Sequence, residues 1–272
     1  MKPKKLLYAA ATVLLLTAAL FAVQLALAGE GAKFPKEGET IKQDEKLKLD
    51  TSNTSEGYFM AKVSKETSKR LKLRVVTGDT TLDYNLPGTG DYIVVPLQMG
   101  SGKYKITLYE NTSGKKYAAT GSITITAKLT REDGAFLYPN QYVDYDEATK
   151  AVAYADQLCA DMSSQEAFDA VCTHMKTFVY DYIKAINIKP GMLPDIPGTW
   201  DKRMGVCQDL AAIMCCMLRT QGLPARLVIG YADKSYHAWT VTEIDGKDVF
   251  YDPTAALNAI SKPKKYTVER FY

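Results

Sequence analysis

Three residues near the end of the chain have the types that nucleophilic catalysis needs. Cys207 stands in Gly205-Val-Cys-Gln-Asp-Leu-Ala211, His237 in Tyr236-His-Ala-Trp239, and Asp252 in Phe250-Tyr-Asp-Pro253. A thiol attacks a carbonyl carbon as its thiolate. An imidazole takes and returns the proton, and a carboxylate fixes the tautomer of the imidazole. The chemistry this set suits is acyl transfer through a thioester.

The elements around these residues must bring them together. Leu210, Ile213, Met214, Met217 and Leu218 recur at helical spacing, and Gly222 and Pro224 end the helix. Cys207 then sits in the first turn, where unpaired N–H groups and the helix dipole favour an anion and backbone N–H groups can hold an oxyanion. Taken alone, Cys207 reads as one more core cysteine, like its neighbour Cys215. Its partners change that reading. Arg226–Tyr231 and Tyr236–Ile244 read as strands, Asp245-Gly246 is a hairpin turn signal, and Lys247–Asp252 returns until Pro253 stops it. A two-residue turn sets residue 244 opposite 247, 239 opposite 252 and 237 opposite 254. His237 and Asp252 become diagonal neighbours on one face, roughly 7–8 Å apart at the backbone, provided no bulge intervenes. The meeting of Cys207 with His237 depends on tertiary packing, which spacing does not reveal.

The ordered set Gly-Val-Cys207-Gln-Asp-Leu-Ala, Gly222-Leu-Pro-Ala-Arg226, Gly230-Tyr231, His237-Ala-Trp239 and Tyr251-Asp252-Pro253-Thr254 resembles the bacterial branch of the transglutaminase-like superfamily. The resemblance is strong over the last 70 or so residues and extends back towards Phe136. It implies an α+β, papain-like core in which a helix bearing the cysteine packs on an antiparallel sheet bearing the histidine and aspartate. It implies Cys207, His237 and Asp252 as the catalytic triad. Papain-like enzymes often carry a glutamine six residues before the cysteine to help hold the oxyanion; here that position is Asp201. Trp200 and Tyr180 are the candidates for the second oxyanion donor. Trp239 shares a strand face with His237, to shield it or simply to pack.

Upstream, Asp146–Cys159 has helical spacing, and Ser163-Ser-Gln-Glu166 is a capping box opening a helix expected to run to about Ala185. His174 lies beside its apolar stripe and reads as a core-edge residue. Residues 186–203, with three prolines and two glycines, read as a loop over a cleft. The transglutaminase-like catalytic domain is expected over 130–272. Residues 46–129 alternate with period two, as in Leu71–Val75, Tyr104–Leu108 and Ser122–Thr126, between turn signals such as Pro87-Gly88 and Gly100-Ser-Gly102. About seven short strands suggest an immunoglobulin-like β-sandwich serving as spacer or binding module. Residues 29–45 read as a polar linker. Residues 1–28 pair Lys2, Lys4 and Lys5 with an uncharged run from Leu6 to Ala28 closing on Ala-Leu-Ala. That is an export signal, either cleaved or kept as a membrane anchor. The folded part is expected outside the cytoplasmic membrane, extracellular or at the cell surface.

Composition narrows the function. The three lysines of the leader account for the formal charge of +3, so the remainder is neutral and has no general attraction for nucleic acid. Five cysteines leave at least one thiol free, and Cys159 and Cys172 are spaced to allow a disulfide. Without a CxxC pair, and with only two histidines, no metal site and no cofactor are expected. The leading reading is an exported cysteine enzyme that cleaves or transfers peptide or isopeptide amides, with hydrolysis favoured over transamidation. Its partner would be a protein or peptide substrate, cell-wall peptides among them. The rival is a cell-surface binding or scaffold protein with a vestigial transglutaminase-like fold.

Overall fold

The alternating stretch from Ile41 to Ala127 folds into eight strands: β1 (Ile41–Gln43), β2 (Leu47–Asp50), β3 (Tyr58–Val63), β4 (Leu71–Thr77), β5 (Thr80–Leu86), β6 (Ile93–Pro96), β7 (Gly102–Ser113) and β8 (Lys116–Ala127). This is a computed structural model, and it describes residues 31–260 and 262–272. The strands form two antiparallel four-stranded sheets, ordered β1-β2-β3-β6 and β5-β4-β7-β8. Every second residue faces inward, so Leu47, Leu49 and Phe59 from one sheet join Leu73, Val75 and Ile106 from the other in a single buried cluster. Each such aliphatic side chain contributes roughly 1.5–3 kcal/mol on burial. β1 falls within the stretch expected to be a linker. That stretch is tied down further by Tyr58, whose hydroxyl accepts the Lys36 N–H at 3.0 Å, and by Asp50, which accepts the Gly38 N–H at 2.6 Å.

The second half is mixed. Helices α1 (Lys150–Leu158) and α2 (Ser164–Met175) precede a short strand β9 (Val179–Tyr180), α3 (Tyr182–Asn187), α4 (Ile196–Lys202) and β10 (Met204–Gly205). The 14-residue α5 (Cys207–Thr220) follows, then β11 (Ala225–Ala232), β12 (Ser235–Ile244), β13 (Lys247–Tyr251), α6 (Pro253–Ala256) and β14 (Tyr266–Phe271). The last four strands form one antiparallel sheet ordered β13-β12-β11-β14. α5 lies against this sheet with α1 and α2 on its other flanks, and every residue from Asp209 to Thr220 is buried.

The capping box at Ser163 forms: Glu166 N–H donates to the serine hydroxyl and the Glu166 carboxylate accepts the Ser163 N–H. The helix it opens stops at Met175 instead of Ala185. Phe178-Val-Tyr180 carries β-branched and aromatic residues suited to an extended chain, and Val179 and Tyr180 pair in parallel with Met204 and Gly205. That partner lies beyond the reach of a local pattern. The loop expected over 186–203 contains α4, which starts where the Asp195 carboxylate accepts the Gly198 N–H.

The two halves share one apolar core. Tyr272 stacks on Tyr142 and meets Tyr84 edge-on, and Gln98 donates to the Phe271 carbonyl. Arg219, fully buried, donates to the carbonyls of Ala225, Tyr138 and Tyr272 and so joins α5 to three separate segments. Among the described residues no helix is long and apolar enough to cross a membrane. The export segment expected over 1–28 lies outside the described residues.

Candidate active site

α5 begins at Cys207, after Val206 in extended conformation. Its start is fixed by Asp209, two residues on. The fully buried Asp209 carboxylate accepts the N–H of Val206 at 3.0 Å, the N–H of Asp195 at 3.1 Å and the Lys184 ammonium at 2.7 Å. One carboxylate thus ties the N-terminus of the cysteine helix to α3 and to the segment entering α4. Gly205 has no room for a side chain, since a Cβ there would lie 2.6 Å from Thr199 Cγ2 and 2.9 Å from Asp209 Cβ. The chain can enter α5 this closely only as glycine.

On the sheet, Ile244 pairs with Lys247 and Thr240 with Tyr251, the register that a two-residue Asp-Gly turn requires. Both turn residues have positive φ, 51° at Asp245 and 72° at Gly246, as the twist of a tight hairpin demands. No register shift interrupts β12 and β13. Asp252 follows directly. Its Oδ2 lies 2.9 Å from His237 Nε2 and accepts the Tyr266 hydroxyl at 2.7 Å. Its Oδ1 accepts the N–H groups of Thr254 at 2.9 Å and Ala255 at 3.1 Å, capping α6. The carboxylate is therefore met by four donors while buried.

The Cys207 side chain is the other group that acts on the imidazole. Burial works against charge on His237. The hydrogen bonds with Asp252 and Cys207, together with the charges of both, outweigh it and carry the pKa up to about 9. Burial likewise opposes ionisation of Asp252, but the hydrogen bond and charge of His237, with the α6 N–H and Tyr266 donors, hold its pKa below the ordinary carboxylate value.

The other residues singled out from sequence divide. Tyr180, on β9, lies near Cys207. Burial first, and then the charges of Cys207, Tyr182, Asp209 and Asp181, push its pKa up to about 12, so it remains a hydroxyl donor. Trp239 is buried on the His237 face, its ring stacked 6.3 Å from the imidazole. Trp200 packs elsewhere, with Tyr154, His174 and Phe178 and beneath the Arg203 guanidinium. His174 belongs to that cluster and is buried. Desolvation and the neighbouring Arg203 take its pKa down to about 4. Asp201, six residues before Cys207, points to solvent and pairs with Lys150.

All five thiols are unpaired, so Cys159 and Cys172 form no disulfide. Four of them are buried, and Cys207 alone is partly exposed. Burial raises the pKa of Cys159 and Cys215 to about 11 and of Cys172 to about 12. Among the described residues no group of three or more metal-ligating side chains converges.

Two features went unread in the sequence. Asp209 stands in the first turn of α5, and helical spacing does not reveal its buried pairing with Lys184. Tyr266 gave no signal, since its strand joins the sheet across a long connection and lies outside the motif run.

Residues 152–253 match the family model of the transglutaminase-like superfamily. No curated protein matches the chain. Among solved structures, a candidate cysteine protease from Cytophaga hutchinsonii is 15% identical, covers 79% of this chain and 83% of its own, and has a TM-score of 0.42. The periplasmic domain of TgpA from Pseudomonas aeruginosa is 16% identical, with 84% and 78% covered and a TM-score of 0.37. Red sea bream transglutaminase is 12% identical, with 72% and 48% covered and a TM-score of 0.30. Residues 152–253 of this chain, which include Cys207, His237 and Asp252, are a transglutaminase-like domain.

Proposed function

We propose that this chain is an exported cysteine enzyme that hydrolyses peptide or isopeptide amides through a thioester on Cys207. The observation that carries the reading is the 2.9 Å contact of His237 Nε2 with Asp252, combined with Cys207 as the other partner of the same imidazole. The Cys207 thiol gives its proton to His237 and its sulfur attacks the amide carbonyl carbon. Negative charge gathers on the carbonyl oxygen, where the backbone N–H groups of the first α5 turn and the Tyr180 hydroxyl are the donors available. The tetrahedral species collapses as the C–N bond breaks, and imidazolium delivers its proton to the departing amine. Water then attacks the thioester, His237 takes a proton from it, and the carboxylic acid leaves as the thiol is restored. An amine in place of water would make the same cycle a transamidation. Water is abundant at a cell surface, which favours hydrolysis.

In this reading, residues 1–28 export the chain, and the β region before the catalytic domain is an immunoglobulin-like module that holds or binds at the cell surface. Peptides of the cell wall are one substrate class accessible there. The test is turnover of a pooled quenched-fluorescent peptide and isopeptide set by the wild type and by Cys207→Ala. Cleavage by the wild type that vanishes in the variant, with the unfolding midpoint unchanged, is the expected result. Equal cleavage by both would remove Cys207 from the mechanism. No cleavage by either, together with a Cys207 no more reactive than a free thiol, would favour the binding-module reading.

A further inference from the structure

Asp252 Oδ2 receives two side-chain donors, His237 Nε2 and the Tyr266 hydroxyl. The tyrosine comes from β14, beyond the family-matched residues, and several features bring it there. The Asp233 carboxylate accepts the N–H groups of Lys264 and Lys265 and so anchors the chain as it enters the strand. Tyr266 then pairs with Ala232 on β11. At Gly230, which lies opposite His237, the register shifts, and any Cβ would collide with the Thr267 carbonyl oxygen. Glycine at this position is what lets β14 run close enough to place the phenol over Asp252.

The ring is placed as well as the hydroxyl. It lies edge-on to Trp239 at 5.1 Å and to Phe250 at 4.7 Å, and 6.5 Å from the imidazole of His237. The His237–Asp252 pair is therefore walled by Trp239 and Tyr266. A tyrosine packed only for its apolar ring has no need to aim its hydroxyl at an oxygen already shared with a histidine.

We propose that Tyr266 is a positioning residue of the Cys207 site, its hydroxyl fixing the Asp252 carboxylate so that Oδ2 meets His237 Nε2, and its ring excluding water from that hydrogen bond. The inference rests on the functional reading above. The titratable or charged groups that face Tyr266 are Asp252 and, more distantly, Asp233; those facing His237 are Asp252 and Cys207. A hydroxyl donated to a carboxylate withdraws charge from it. Without that donor, Oδ2 would hold the imidazolium proton more tightly.

The experiment is an NMR titration of the His237 ring in the wild type and in Tyr266→Phe, which needs neither substrate nor turnover. The hydrogen bond is to a charged group, so its loss should move the His237 midpoint upward by about one pH unit. Coincident titrations in a folded variant would overturn the proposal. Should Tyr266→Phe fail to fold, the wild type decides: a slowly exchanging Tyr266 hydroxyl proton with a cross-peak to the His237 ring supports the proposal, and its absence defeats it. A titration shift in a protein whose turnover survives Cys207→Ala would sink the enzymatic reading while leaving the Tyr266–Asp252 bond established.

Discussion

The Lys184 ammonium lies 2.7 Å from Asp209 Oδ2, and the carboxylate it meets is wholly withdrawn from water. Asp209 also accepts the N–H groups of Val206 and Asp195. Removing it would leave an ammonium and two backbone donors without a partner, directly beside Cys207. Breaking such a buried pair from one side costs about 3 kcal/mol. Asp209→Ala should lose about that much in urea unfolding, and Cys207 should alkylate more slowly in the folded variant. A loss under about 1 kcal/mol would show that the N-terminus of α5 is held by other contacts.

A second prediction concerns thiol selectivity. Cys207 is the one partly exposed thiol and is partnered by His237, while the other four are buried. Limiting iodoacetamide near pH 6, followed by peptide mass mapping, should label Cys207 first. His237→Ala should slow that labelling, because the base beside the sulfur is gone. Equal rates in both proteins would mean that the imidazole does not activate the sulfur.

Stability should follow the titration of His237. Its folded pKa of about 9 exceeds the ordinary value of 6.5, so the charged ring stabilises the fold in full below pH 6.5. This contribution is lost as the pH rises through 9. Asp252 works the other way: its pKa is lowered from 3.8, and its contribution is present above that value and lost as the pH falls through the folded value. Unfolding free energies between pH 6 and 10 should therefore decline in the wild type by on the order of 2 kcal/mol more than in His237→Gln. Parallel curves would contradict the assignment.

Gly205 offers a steric test. Gly205→Ala places a methyl group against Thr199 and Asp209. Overpacking of this kind costs about 1–3 kcal/mol. The thermal midpoint should fall accordingly, and Cys207 alkylation should slow as the entry to α5 shifts. A fully stable variant with wild-type labelling would show that the turn has slack.

The legible parts of this molecule are those whose partners are close in sequence. The Asp245-Gly246 turn fixes the β12–β13 register, and that register carries His237 to Asp252. The helical spacing from Leu210 to Leu218 likewise sets Cys207 at a helix start. Contacts made across long separations were not legible. Val179 and Tyr180 leave the helical pattern to pair with Met204 and Gly205, which breaks a helix the spacing alone would have continued. Trp200, adjacent to the glutamine position, is drawn by Tyr154, His174 and Arg203 into a separate aromatic cluster, and only the packing of α1 and α2 against α4 decides that. Tyr266 reaches Asp252 through a strand added on the far side of β11.

The unequal burial of the five thiols turns the molecule into a tool for finding its own substrates. A single addressable sulfur accepts one fluorophore, one spin label or one electrophilic bait without any cysteine being mutated away. A peptide-like probe ending in a mild electrophile, presented to the purified protein, would leave its mark on Cys207 only where its side chains suit the surrounding surface. Competing that mark against a panel of unlabelled peptides would rank them as occupants before any turnover assay exists.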